Sequence, residues 1–237
     1  AVKGDEDVEV LPAATIDVSG ACDVLDKWDG TFNLDSAGAP LFREWLSQFP
    51  YSAFADAGPL FATAFDPADP ANTPRDLAPA TQDDAVLKNL ARAVQILRAG
   101  GFSDTSTLRE MQFAARSKSR IPLHGGLNTD GVANIVSWGG LGSSTETVPT
   151  RGDRIAPGSS LTSDGYPVNY GTSFLMVVDF TQSEPSAWAF LTYSDTGDRT
   201  SPLFDAQMSA FSEKKWRQVR FTEADIDADA RVYTVRG

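Results

Sequence analysis

The side chains that could do chemistry are few and widely spaced. Asp179 stands inside Phe174-Leu175-Met176-Val177-Val178-Asp179-Phe180, the most apolar run of the sequence. Burying a carboxylate is costly unless it finds a hydrogen-bonding or charged partner, and none lies near it in sequence. Such an acid is either a satisfied structural group or a carboxylate that orients a catalytic base, because buried, partnered acids concentrate at sites. His124, the single histidine, precedes Gly125 and Gly126. It is either a structural hydrogen-bonder or the base of a serine triad, and no Gly-x-Ser-x-Gly turn is present to display the serine.

One histidine and one cysteine are too few for the common metal sites built on those residues. The many aspartates show no EF-hand spacing. Cys22 has no partner within the chain. It is expected as a small buried hydrophobe, the alternative being half of a bridge to another chain. Arg151-Gly152-Asp153 matches an integrin-binding tripeptide, a match that arises often by chance. Gly139-Gly140-Leu141-Gly142 is not a nucleotide loop, since no strand leads in and no periodic helix follows.

The formal net charge of −12 argues against a nucleic-acid or anionic-membrane partner, either of which would need clustered cations. The basic cluster Lys214, Lys215 and Arg217 around Trp216 reads as a solvated face. No apolar run approaches membrane-spanning length. The chain opens on a charged stretch rather than a signal peptide, and Ala1 suggests a start made by a cut.

The elements that must position these residues follow from periodicity. With 237 residues, 41% hydrophobic and 22% charged, a sizeable core is within reach. Ser19 is placed as the N-cap of a helix carrying Ala21, Val24, Leu25 and Trp28, ended by Asp29-Gly30. Ser36 is placed as the N-cap of a second helix, with Leu41, Phe42, Trp45, Leu46 and Phe49 on one face and Pro50 as the stop. From 51 to 83, Pro59, Pro67, Pro70, Pro74 and Pro79 interrupt the chain, which reads as a loop or linker. A clear helix follows from Asp83, with Leu87, Leu90, Ala91, Val94 and Leu97 in register and Gly100-Gly101 closing it. Thr105 is placed as the cap of another, carrying Leu108, Met111, Phe113 and Ala115.

A short strand is expected within Val132–Trp138, and a long surface excursion from Gly139 to Tyr170. Two strands follow, Phe174 to Phe180 and Trp188 to Tyr193. Their apolar content on both faces implies a sheet covered on both sides. Phe204 to Phe211, a short helix opened by Thr222 and a last strand Arg231 to Val235 complete the chain. The division is 1–66 for an extended segment and helical hairpin, 67–83 for a proline-rich linker, and 84–237 for helices, the long loop and the final strands. The residues alone describe a mixed α/β domain that is not self-sufficient.

Several stretches taken together resemble the penicillin acylase family of N-terminal nucleophile hydrolases. They are Ile16-Asp17-Val18-Ser19-Gly20-Ala21-Cys22 with Leu25, Trp28-Asp29-Gly30 and Asp35-Ser36 with Ala39; Pro122-Leu123-His124-Gly125-Gly126 with Asn134; Gly171-Thr172-Ser173 with Val177-Val178; and Leu191-Thr192-Tyr193-Ser194, Ser201-Pro202, Gln207, Phe211-Ser212, Trp216 and Phe221-Thr222. Their order is similar to the C-terminal part of that family's beta subunit, in the branch that removes fatty acyl chains from cyclic lipopeptides or acyl-homoserine lactones. The chain departs from the family at Ser194-Asp195-Thr196, at Leu203-Phe204 and at Ala206-Gln207.

The resemblance implies part of an αββα sandwich with a helical subdomain, and a precursor cut into subunits. It implies a serine nucleophile at the start of another chain, whose own α-amine, titrating near ~8, serves as base. Asp179 then becomes the candidate positioning carboxylate for the catalytic histidine. The implied partners are the other chains of the same precursor and an N-acylated small molecule or lipopeptide. The implied location is secreted or periplasmic, with no cofactor on this chain and calcium considered only for the partner chain. The alternative is a non-catalytic binding module that uses the 139–170 loop as its recognition surface.

Overall fold

Helices and short strands are interspersed along the chain, as expected of a mixed α/β protein. The computed structural model describes residues 10–49, 60–78, 85–132, 134, 136–137, 154–192 and 196–228. They fall into two units. One comprises Ala1–Arg116 with Pro122–Gly171, the other Ser117–Ile121 with Thr172–Gly237. The Asp83 helix start, the tripeptide 151–153, Tyr193 to Asp195 and the expected strand 231–235 lie outside the described residues. Among the described residues, no helix is long and apolar enough to cross a membrane.

In the first unit, α1 (Ser19–Lys27) and α2 (Ala39–Ser47) form where the apolar spacing places them. Their caps differ from expectation. Ser19 is the first helical residue, and its N–H donates to Asp17 Oδ1 at 2.9 Å, so the capping oxygen comes from two positions upstream. Ser36 lies outside α2 and is buried. Its hydroxyl donates to Asp29 Oδ2 at 2.9 Å and pairs with that of Thr31 at 2.7 Å. The turn into α2 is made by Gly38 at φ 99°, where a Cβ would stand 3.1 Å from that of Trp28. Trp28, Phe32, Phe42, Trp45 and Phe49 form a continuous run of ring contacts.

α3 (Ala85–Ala99) packs along α2 and buries Leu90, Ala93, Val94, Ile96 and Leu97, whereas Leu87 is exposed. It ends in a Schellman motif. Gly101, at φ 83°, donates to the Arg98 carbonyl and Phe102 to that of Leu97. β1 (Phe61–Thr63) and β2 (Arg75–Leu77) pair antiparallel, so residues 60–78 form a hairpin.

The expected helix from Thr105 is cut short. Thr107 makes a capping box with Glu110 for α4 (Leu108–Met111), and the chain then turns directly into β3 (Gln112–Ala114). The reason lies at Gln112, whose side chain and backbone are both bound to the 123–125 segment. A 3-10 turn, Asn128–Asp130, precedes β4 (Val136–Ser137), which pairs with β6 (Tyr170–Gly171). β5 (Tyr166–Val168) runs parallel to β3. The surface excursion expected through Tyr170 is therefore corrected over its described part. Ala156, Ser159, Leu161, Thr162, Tyr166, Val168 and Asn169 are all buried, because β5 is a core strand.

The second unit is built on β7 (Phe174–Asp179) and β8 (Ser186–Leu191), paired antiparallel from Phe174↔Leu191 to Asp179↔Ser186. β9 (Arg217–Gln218) adds to β8. α5 (Ala206–Ser212) packs on β8, where Phe190 stacks against Phe211 and Trp216 with ring centroids 5.9 and 4.4 Å apart. Thr222 caps α6 (Glu223–Asp227), its hydroxyl accepting from the Asp225 N–H at 3.1 Å.

Candidate functional site

Residues far apart in sequence meet in one buried polar cluster of the first unit, centred on Arg43. α2 places Arg43 and Glu44 side by side inside an otherwise apolar turn, Leu41-Phe42-Arg43-Glu44-Trp45-Leu46, and both are buried. Arg43 Nε donates to Asp130 Oδ2 at 3.1 Å, Nη1 to Gln112 Oε1 at 2.8 Å and Nη2 to the Gly125 carbonyl at 3.0 Å. The guanidinium also lies over the Phe32 and Tyr166 rings, 5.3 and 4.9 Å from their centroids. A planar fork with several donors suits this task, and a lysine could not make the same set of bonds.

The other members are equally committed. Gln112 Nε2 donates to the Leu123 and Gly125 carbonyls at 2.8 and 3.0 Å. Asp130 Oδ2 also accepts from the Leu127 N–H at 2.8 Å. The Tyr166 hydroxyl donates to Glu44 Oε1. Burial pushes the Glu44 carboxyl up, opposed in turn by the Tyr166 and Ser159 hydroxyls and by Arg43. Burial, and then the Glu44 charge, hold the Tyr166 phenol well above its ordinary range, so it remains a donor.

This cluster fixes the Pro122–Gly126 segment. Leu123 N–H donates to the Gln112 carbonyl, Gly125 N–H to that of Phe32, and Val136 N–H to that of Gly126. Gly125 sits at φ 99°, with Asn134 Nδ2 2.5 Å from where a Cβ would be. At Gly126 a Cβ would stand 2.6 Å from Asp130 Oδ2 and 3.1 Å from Arg43 Nη2. The paired glycines are thus required by close approach. His124, between them and Leu123, is half-buried, and its Nδ1 lies 3.1 Å from Asn134 Nδ2. An amide nitrogen is a donor only, so Nδ1 accepts in this contact and the ring proton of the neutral form sits on Nε2.

Asp179 is placed quite differently from the sequence expectation. It ends β7, is only partly buried and accepts the Thr181 N–H at 2.8 Å. That hydrogen-bonded turn, through the side chain and backbone of Thr181, holds its carboxyl below the usual range. The expectation of a buried, unpartnered acid is corrected: the partner is local, two residues on. The expectation that both faces of β7 are covered is corrected too, since Phe174, Met176, Val177 and Phe180 are more than half exposed. α5 reaches only the Phe190 side, and among the described residues β7 has one strand neighbour, β8. Cys22 is exposed rather than buried. It lies beside Ala21, the residue α1 buries. No group of three or more His, Cys, Asp or Glu side chains is arranged to hold a metal ion among the described residues.

Sequence reading passed over Arg43, Glu44, Gln112, Asp130 and Tyr166. The one legible signal was the adjacent charged pair Arg43-Glu44 within an apolar helical turn. The partners lie 69 to 122 positions away from them.

A family model described as penicillin amidase matches residues 5–228. An aculeacin-A acylase from Actinoplanes utahensis is 32% identical over 225 residues, covering 94% of this chain and 25% of the relative. An acyl-homoserine lactone acylase PvdQ from Pseudomonas fluorescens Pf0-1 is 29% identical over 225 residues, covering 92% and 26%. The PvdQ acylase of Pseudomonas fluorescens Pf-5 is 33% identical over 213 residues, covering 89% and 24%. The chain spans about a quarter of the length of these relatives.

Proposed function

The chain belongs to the penicillin amidase family, and from that premise we propose that it is one section of an N-acyl amide hydrolase that works only when assembled with further chains of the same precursor. The observation that carries the assembly reading is β7. Phe174 and Met176 on one face, Val177 on the other and Phe180 just beyond its end are all exposed, so uncovered apolar side chains of the kind that mark an interface stand on both faces of the strand. β7 also presents an edge to further strands among the described residues. A chain that spans a quarter of its relatives leaves ample polypeptide to cover both.

In this reading the other chain carries an N-terminal serine that attacks the amide carbonyl. The leaving amine departs, and water then hydrolyses the acyl-enzyme. The acyl donors are of the kinds the relatives are named for, aculeacin-A and acyl-homoserine lactone, and we place the enzyme outside the cytoplasm. The Arg43 cluster serves as scaffold. Asp179, at the exposed end of β7, is a positioning residue that another chain can reach.

The test is expression of the whole precursor. The mature particle is expected to hold this chain in stoichiometric complex with one beginning in Ser, Thr or Cys, and to release fatty acid from both substrate classes. A stable lone chain, or a complex inert toward both, would overturn the reading. Asp179→Ala, with Asp179→Asn as control, is expected to lower kcat and shift the pH profile with folding intact. An unchanged profile removes Asp179 from the site and leaves the assembly standing.

A further inference from the structure

The Arg43 cluster contains one group that its own charge balance does not need. Arg43 is already paired with Asp130 and also donates to Gln112 and the Gly125 carbonyl. Glu44, 1% exposed, is a second carboxyl in the same buried volume. Its Oε1 takes the Tyr166 hydroxyl, while Oε2 is shut off from solvent and makes no bond of ordinary hydrogen-bond geometry. Of the elements packed around it, β5 offers only the Tyr166 hydroxyl; in the 154–162 segment the Ser159 hydroxyl faces the carboxyl while its oxygen accepts from the Leu161 N–H, and Arg154 turns its Nε to the Ser159 carbonyl. The 3-10 turn offers another carboxylate, Asp130. α3 turns Arg92 toward the Leu11 carbonyl and Gln95, pairs Arg98 with Asp104, and leaves Lys88 at the surface. A buried carboxylate without its own cation costs several kcal/mol, and the neutral form avoids that cost.

We propose that Glu44 is carried as a neutral carboxylic acid through the weakly acidic range, and that losing this proton loosens the buried tie between α2, the 122–127 segment and β5. The device is a proton-held latch. Its sign is fixed by the geometry. The folded state keeps a proton that the unfolded chain releases near pH ~4.5. Glu44's contribution to stability is therefore fullest below that pH and declines as pH rises through its folded pKa. Over that window each pH unit lowers the folding equilibrium constant by up to about tenfold, relative to a side chain that cannot ionise.

The experiment compares wild type with Glu44→Gln, in the assembled protein, from about pH 5 to about pH 8. Glu44→Gln keeps the shape and the Tyr166 bond of the neutral form. It is expected to match wild type at the acid end and to become progressively more stable than it toward the alkaline end. Parallel curves would overturn the proposal. If Glu44→Gln does not fold, infrared difference spectra of wild type labelled with carbon-isotope glutamate still decide. A protonated carboxyl band that persists above the ordinary carboxyl range, and extends to higher pH in Tyr166→Phe, supports the latch. A band lost in that ordinary range in both proteins refutes it.

Discussion

Replacing Arg43 with methionine tests the central claim about the first unit, that a single guanidinium holds its buried cluster together. The variant keeps the apolar stem between Phe32 and Tyr166 but removes every donor. Asp130, whose side chain is 4% exposed, then becomes an uncompensated buried carboxylate that keeps only the Leu127 N–H. Breaking a buried pair by removing one partner costs about 3–5 kcal/mol. Gln112 Oε1 loses the Arg43 donor in a fully buried setting, worth about 1–3 kcal/mol more. The Gly125 carbonyl retains the Gln112 Nε2 bond, so its loss is small. Allowing for non-additivity, the expected penalty is about 4–6 kcal/mol. For a unit of this size that lowers the midpoint of thermal unfolding by about 10–20 °C. The assay is calorimetry of the assembled protein, read with hydrogen exchange at the Gly125 and Val136 amides, whose bonds anchor the segment. The double variant Arg43→Met/Asp130→Asn removes the stranded charge and should recover part of the loss, with a coupling of at least about 1 kcal/mol. A midpoint shift below about 4 °C for Arg43→Met, or strict additivity of the double variant, would refute the reasoning.

Other outcomes follow from the same contacts. Gly125→Ala should destabilise more than Gly126→Ala. Its Cβ meets the Asn134 backbone carbonyl at 2.7 Å and its φ is positive, whereas Gly126 meets mainly side-chain ends; urea midpoints of the two variants give the order. Phe190→Ala removes the ring between Phe211 and Trp216, with an expected cost of about 3–5 kcal/mol read by denaturant unfolding. Thr107→Ala deletes the capping box of α4 and should cost about 1 kcal/mol, with faster exchange of the Glu110 amide. Asp179 titrates in the opposite sense to Glu44. Its carboxyl is held low by Thr181, so its contribution to the β7 turn is present above the usual aspartate pKa and is lost as pH falls through the folded value. Exchange of the Thr181 amide should accelerate over that acid window relative to its neighbours, and Asp179→Asn should flatten the change.

Local signals were legible wherever a few neighbouring residues decide the conformation. The apolar spacing of Leu90, Val94 and Leu97 with Gly100-Gly101 beyond it specifies α3 and its Schellman end, because all the bonds involved lie within one turn. The two apolar runs Phe174–Asp179 and Ser186–Leu191, joined by a short polar turn, specify the β7–β8 hairpin because its strands are near neighbours in sequence. Caps were legible to within two positions: Thr222 acts where expected, while Asp17, Gly38 and Thr107 stand in for Ser19, Ser36 and Thr105. Which oxygen faces the helix end depends on how the preceding chain enters, and that is a tertiary matter.

What only the tertiary structure decided is which polar groups are buried and what they meet. Arg43 and Glu44 carry no hint in sequence of Gln112, Gly125, Asp130 or Tyr166, because each contact closes a long loop and its energy appears only after several elements have packed. Asp179 shows the converse. An acid inside an apolar run is expected to be buried, yet a run's apolarity says only what a strand is suited to face, and here Asp179 stands partly exposed at the strand's end with Thr181 as its partner. Sequence by itself determined the helices α1, α2 and α3, the β7–β8 pair and the family to which the chain belongs, but not β3, β5 or the hairpin at 60–78. The fold decided that Asp179 lies partly exposed at a strand end, and that the charged pair on α2 forms the buried centre of the first unit.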